Sequence, residues 1–138
     1  MIYIVCVDDN FGLSFNRRRQ SQDKALRKRI LSLSADSVLW LSTYTAKQFT
    51  DGGNFRVDDD CMSKAGENEF CFAEDFDFTA ENCEKIILYK WNRRYPSDRY
   101  FDFDFEANGF NKISSTDFEG NSHEKITEEV YVRNEKIS

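Results

Sequence analysis

The sequence predicts one α/β domain in which a mixed, mostly parallel β-sheet is flanked by helices. Three observations carry that expectation. Residues 2–7, IYIVCV, form a continuous apolar and β-rich run, the pattern of a strand buried on both faces. An amphipathic helical stretch follows and leads into a second buried run, SVLWL, so that a strand–helix–strand unit places its two strands parallel in one sheet. The length, 138 residues, matches one domain of ordinary size, with a core large enough to stand without metal or disulfide staples.

The first strand is closed by Asp8-Asp9-Asn10, a turn signal. Ser21 is placed to cap a helix over 21–34 with Asp23 in its first turn. Leu26, Ile30 and Leu33 then recur at i, i+4 and i+7 beneath a strongly basic outer face. After the strand 37–41, Thr45 to Phe49 reads as one or two helical turns ahead of the turn Asp51-Gly52-Gly53. Asp58-Asp59-Asp60 suits the start of a short helix through Ala65. Phe70 to Ala73 reads as a short strand, and Glu74 to Glu84 as an acidic connection or short helix. Lys85 to Trp91 is a strand. From Asp98 to Phe105, Phe101, Phe103 and Phe105 alternate with Asp102 and Asp104, the period of a half-buried strand. A last strand runs from about Ile126 to Val132, with Gly109, Gly120 and Asn121 marking turns before it. No internal repeat, low-complexity segment or interdomain linker is evident.

Composition excludes several classes. Acidic residues number 25 against 19 basic and a single histidine, a formal charge of −6, which argues against indiscriminate binding to nucleic acid or anionic membrane. The excess belongs to the second half: residues 1–69 carry ten acidic and ten basic side chains, residues 70–138 fifteen against nine. No apolar run is long enough to span a bilayer and the opening residues lack the marks of a secretory signal, so a cytoplasmic location is expected. Cys6, Cys61, Cys71 and Cys83 are not spaced as a metal knuckle, and His123 alone cannot complete a His/Cys set. They read as reduced thiols, and neither metal nor cofactor is expected.

Four constellations could carry chemistry or binding. Arg17-Arg18-Arg19 with Lys24, Arg27, Lys28 and Arg29 suits phosphate, in RNA or a nucleotide, through guanidinium forks; the plain alternative is a solvated helix face. His123 could act as a general base tuned by Glu124 or Asp117, although spacing fixes no nucleophile beside it. Asp23 could be a buried acid facing a ligand, but a helix start attracts carboxylates through its dipole in any case. The acidic band, Asp58-Asp59-Asp60 with residues 67–84 and Asp102, Asp104 and Glu106, lacks the spacing of a calcium loop. It could imitate the charge of a nucleic acid and occupy the basic cleft of a nuclease, with Phe70, Phe72, Phe76 and Phe78 as aromatic anchors, or it could serve solubility alone.

Two family resemblances follow from particular stretches. The opening strand with Asp9-Asn10-Phe11-Gly12-Leu13, the position of Asp23, and the order of Ile86 to Asp98, Arg99-Tyr100-Phe101-Asp102, Asn121-Ser122-His123 and Glu129-Val130-Tyr131 resemble a dihydrofolate reductase scaffold. Important pieces of that family are absent. No Leu-Pro-Trp follows the Gly-Leu, Ser42-Thr43-Tyr44-Thr45 stands where a Gly-Arg-x-Thr would meet cofactor phosphate, and a late Gly-Gly is missing. The resemblance therefore implies the fold without the reductase chemistry. The stretches Phe15 to Asp23, Tyr89 to Asp98 and Phe118 to Thr127 resemble ribonuclease-toxin immunity proteins of the CdiI type, from contact-dependent growth inhibition.

That second resemblance implies a cytoplasmic protein without enzymatic activity that neutralises a cognate nuclease toxin domain by blocking its basic active site. Its contacts are then expected at Asp58, Asp59, Asp60, Glu67, Glu69, Glu74, Asp75 and Asp77, with Phe76 as an anchor. Neither membrane nor direct nucleic-acid partners are expected. The alternative is a diverged dihydrofolate-reductase-like enzyme or nucleotide-binding protein, with Asp23 as acid and the arginines 17–19 on phosphate. RNA binding through the basic helix is a third reading.

Overall fold

The apolar run at the start of the chain works as a two-faced strand. In β1 (Ile2–Val7), Ile2 and Ile4 enter one core layer while Tyr3, Val5 and Val7 enter the other, because successive side chains of a strand point to opposite sides. A strand covered on both faces belongs inside a sheet. The computed structural model, which describes residues 1–134, places it there. β1 pairs in parallel with β6 (Phe70–Phe72) on one side and β7 (Lys85–Lys90) on the other. Beyond β6 lie β4 (Leu39–Leu41) and β5 (Arg56–Val57), also parallel. Beyond β7 lie β10 (Ile126–Arg133) and β9 (Phe110–Phe118), both antiparallel to their neighbours. The order β5-β4-β6-β1-β7-β10-β9 is the mixed, mostly parallel sheet expected from the sequence.

One face is covered by α1 (Lys24–Leu33), which buries Leu26 and Ile30 against Ile2, Ile4, Leu39, Leu41 and Tyr89. Leu33, expected on the same stripe, is exposed. The cap also differs from expectation. Asp23, not Ser21, is the N-cap: its backbone is extended and its carboxylate accepts the N–H groups of Ala25 and Leu26, as an N-cap carboxylate can. Ser21 lies two residues earlier and turns elsewhere. The expected turns near Thr45 form α2 (Thr43–Ala46), capped by Ser42, and the Asp58–Asp60 segment leads into α3 (Cys61–Lys64).

The other face is closed by α3 and by an aromatic loop. The strand expected over 98–105 is a strand only at β8 (Arg99–Tyr100), which pairs with β2 (Gly12–Phe15); β2 and β3 (Arg18–Arg19) complete a small three-stranded sheet that no sequence pattern announced. Phe101, Phe103 and Phe105 nevertheless point inward while Asp102 and Asp104 face water. Phe103 meets Phe78 edge-on at 5.1 Å between centroids and Phe105 stacks on Tyr131 at 3.8 Å. Rings of this size bury enough apolar area to anchor a loop without ladder hydrogen bonds. β9 was also unexpected, since Asn111 to Asp117 are exposed throughout and show no alternation for a pattern to report.

The topology creates one distinctive place. From β1 the chain runs out to β4 and β5, returns to β6 beside β1, and only then crosses to β7. The carboxyl ends of β4, β6 and β1 therefore surround a switch point, where open α/β sheets form their ligand crevices.

Candidate functional site

The crevice at that switch point is built from the residues that follow each strand. Ser42, after β4, donates its hydroxyl to Asp75 Oδ1 at 2.7 Å, and its oxygen lies 2.9 Å from the Thr45 hydroxyl. Thr45 Oγ1 accepts the N–H of Glu74, just past β6, at 2.9 Å. The Glu74 carboxylate accepts Arg19 Nε at 3.1 Å on both oxygens and Gln48 Nε2 at 2.9 Å. Arg19 lies over the Tyr44 ring, 4.4 Å from its centre, and donates to the Tyr44 carbonyl. Arg99 closes the other side through the Glu74 carbonyl, 2.8 Å, and Asp77 Oδ1, 2.9 Å.

The electrostatics of Glu74 follow from this enclosure. Burial pushes its carboxyl above the ordinary range, and the charge and hydrogen bonds of Arg19 offset that only in part. Outside lies an open cleft of about 450 Å3 bordered by Arg17, Arg19, Tyr44, Asp75, Asp98 and Arg99. Beneath it, a cavity of about 30 Å3 among Tyr3, Cys6, Phe72, Phe78, Trp91 and Phe101 has room for roughly two waters.

The expected contact residues divide between the two ends of the sheet. Asp58 donates its N–H to Leu41 O at the end of β4, pairs with Lys64 and accepts the Asp60 N–H; Asp59 accepts the Thr43 N–H at 2.9 Å; Asp60 is exposed at the start of α3. Asp75, Phe76 and Asp77 are exposed at the same end, with Phe76 37 % accessible. Glu74 is internal. Glu69 lies at the opposite end, its carbonyl on the Ile2 N–H and its carboxylate on Trp40 Nε1 and the Gly66 N–H. Glu67 is exposed there beside Met1. The six residues of β1 separate the two groups by about 20 Å.

The basic stretch is likewise dispersed. Arg19 serves Glu74, Arg29 forms a two-pronged pair with Glu128 at 2.6 and 3.0 Å, and Arg27 reaches Gln22 and Asp51, leaving Arg17, Arg18, Lys24 and Lys28 exposed. All four cysteines are free thiols, and Cys61 and Cys71 approach to 3.4 Å between sulfurs. Among the described residues no group of three His, Cys, Asp or Glu is placed to share a metal ion, and no helix is long and apolar enough to cross a membrane.

Sequence reading missed the partner of His123. Its Nδ1 lies 2.9 Å from Asp23 Oδ2, and neither Glu124 nor Asp117 is its partner. Asp23 also accepts the N–H groups of Asn121 and Ser122, 2.9 and 2.8 Å. Burial alone would raise this carboxyl, but the bonds from Asn121, His123, Ser122 and Leu26 together hold it far below the usual range. The Trp91 ring stacks on the imidazole at 4.6 Å. A separation of one hundred residues hides this contact from any local pattern.

No family model and no curated protein sequence matches the chain. Among solved structures it is similar to a dihydrofolate reductase from Enterococcus faecalis complexed with NADP(H) and RAB-propyl, with a TM-score of 0.64 and 12% identity over 97% of this chain and 96% of that one. The likeness establishes the dihydrofolate-reductase-like fold. The residues here do not fit a dinucleotide. The Thr43 and Thr45 amides at the start of α2, where a phosphate would seek donors, are taken by Asp59 and by Ser42 Oγ, and the Glu74 amide by Thr45 Oγ1. A carboxylate on the Thr43 amide repels the anion such a site would have to admit.

Proposed function

We propose that the chain is an immunity-type inhibitor, which binds a cognate ribonuclease toxin domain and blocks its basic active site. The observation that carries this reading is the contrast at the carboxyl end of the sheet. The crevice is filled by the chain's own Arg19–Glu74 pair, while its rim exposes Phe76 between Asp75 and Asp77, with Asp58, Asp59 and Asp60 around the neighbouring strand end. Carboxylates on a rim speed capture of a cationic partner, and a half-exposed aromatic supplies area that loses water on docking. Lys64 on Asp58 and Arg99 on Asp77 are ion pairs that a partner's cations would exchange with. Glu67 and Glu69, at the far end, fall outside this surface.

The test is association of this chain with purified cationic ribonuclease toxin domains, including any that a neighbouring coding region proves to encode. Replacing Asp60, Asp75 and Asp77 together by lysine is expected to slow association at least about tenfold and to remove its dependence on ionic strength. Unchanged association would exclude the surface. The open cleft with three arginines is the observation behind a second reading, a nucleotide-binding or reductase-like protein, against which the occupied amides at the start of α2 count. Titration with NADPH while following Trp91, which lines the cavity beneath the cleft, distinguishes them. Saturable quenching at micromolar concentration supports the second reading, and its absence the first.

A further inference from the structure

The geometry points to Ser21 as an activated nucleophile that accepts a small acyl group from a carboxylic ester, with His123 as its general base and Asp23 as the residue that positions the base. Ser21 Oγ lies 3.0 Å from His123 Nε2, and His123 Nδ1 lies 2.9 Å from Asp23 Oδ2. These two hydrogen bonds, nucleophile to base and base to carboxylate, are what defines such a constellation on any fold. The inference does not rest on the inhibitor reading, since it uses none of the rim carboxylates.

The tautomer follows from the partners. Asp23, held ionised, can only accept, so Nδ1 carries a proton toward it, and the tautomer that serves as a base presents its Nε2 lone pair to Ser21. The ring has little freedom to leave that orientation. It is 4 % exposed, stacked on Trp91, and enclosed by Gly120, where an added Cβ would meet the His123 carbonyl at 2.7 Å and Asp23 Oδ2 at 2.8 Å. Ser21 itself is only half-buried, so the group that would react is the one within reach of solvent. Two other hydroxyls share the site: Tyr95 at 3.2 Å from Nε2 and Ser122 at 3.3 Å from Nδ1. Tyr95 competes with Ser21 for the same lone pair.

The step balances without a further reagent. Ser21 Oγ bonds to the ester carbonyl carbon as its proton passes to His123 Nε2. The carbon–oxygen bond to the alcohol breaks, and the alcohol departs with that proton, leaving Ser21 acylated. Water attacking by the same route releases the carboxylic acid and restores the hydroxyl.

The probe is a fluorophosphonate, which forms an Oγ–P bond with loss of fluoride and a proton, applied to the full chain and located by peptide mass spectrometry. Adduct is expected on Ser21, to disappear in Ser21→Ala and to fall at least about a hundredfold in rate in His123→Gln. Tyr95→Phe, which removes the competing hydroxyl, is expected to raise the rate, an effect that a merely structural role for the histidine would not produce. Folding of each variant is checked by circular dichroism and by its urea unfolding transition. The absence of adduct on the folded wild-type chain, equal labelling of Ser21→Ala, or adduct on Tyr95 in place of Ser21 would overturn the proposal. Loss of folding in His123→Gln leaves the Ser21→Ala and Tyr95→Phe comparisons to decide it.

Discussion

Two enclosed carboxylates, Asp23 fully buried and Glu74 partly so, behave in opposite ways in this fold. Asp23 is held far below the ordinary acid range and Glu74 is pushed above it, although both are enclosed and both have several partners. The difference lies in the donors. Asp23 receives four backbone N–H groups, from Ala25, Leu26, Asn121 and Ser122, fixed by a helix start and a tight loop. Glu74 relies on side chains, Arg19 and Gln48, which must themselves be desolvated and ordered. Pre-aligned amides overcome the cost of burying a charge, and flexible cations recover it only in part. The first region is thus a knot that ties α1 to the loop before β10, the second a plug in a crevice.

The comparison can be broken experimentally. Asp23→Asn removes the charge that four amides and an imidazole face, and is expected to destabilise the fold by about 3 kcal/mol in urea denaturation at neutral pH. Because the folded-state pKa is depressed, this contribution is complete above the ordinary Asp value of about 3.9 and fades as pH falls below it. The gap between wild type and Asp23→Asn should close on acidification, and a gap that is constant with pH would refute the assignment.

Gly120→Ala places a methyl against the His123 carbonyl and Asp23 Oδ2 and is expected to cost about 2 kcal/mol by loosening the same knot. A change under about 0.5 kcal/mol would show that the loop can move aside.

Glu74→Gln should cost the least, about 1 kcal/mol or less, since burial already disfavours the charge that the substitution removes. Here the sign reverses. A raised folded-state pKa makes wild-type stability decline as pH rises from the ordinary Glu value, about 4.3, through the elevated one. Glu74→Gln should therefore compare more favourably with wild type at pH 7 than at pH 4. The opposite trend would mean that Arg19 more than compensates for burial.

Much of the fold was legible because it is written in local pattern. The runs at β1, β4, β6 and β7 are apolar because both sheet faces are covered, and α1 shows its stripe because one face meets the sheet. β9 was illegible for the complementary reason: with neither face covered, nothing constrains its side chains to alternate. The Phe101–Phe105 segment alternates as a strand would yet is a loop, since rings facing a core impose the same period with or without a ladder. Of the expected contact residues, the exposed rim of Asp75 to Asp77 could be guessed from its charge and single aromatic. The burial of Glu74 could not, because Arg19, its partner, comes from β3, more than fifty residues away.

The sequence by itself determined an α/β chain with a two-faced central strand, an acidic second half and a helix within 21–34, because periodicity and charge act between near neighbours. Tertiary structure alone decided which carboxylates face solvent, which hold the crevice shut, and that Ser21, Asp23 and His123 meet. Those outcomes depend on desolvation and on partners brought together only when the sheet closes.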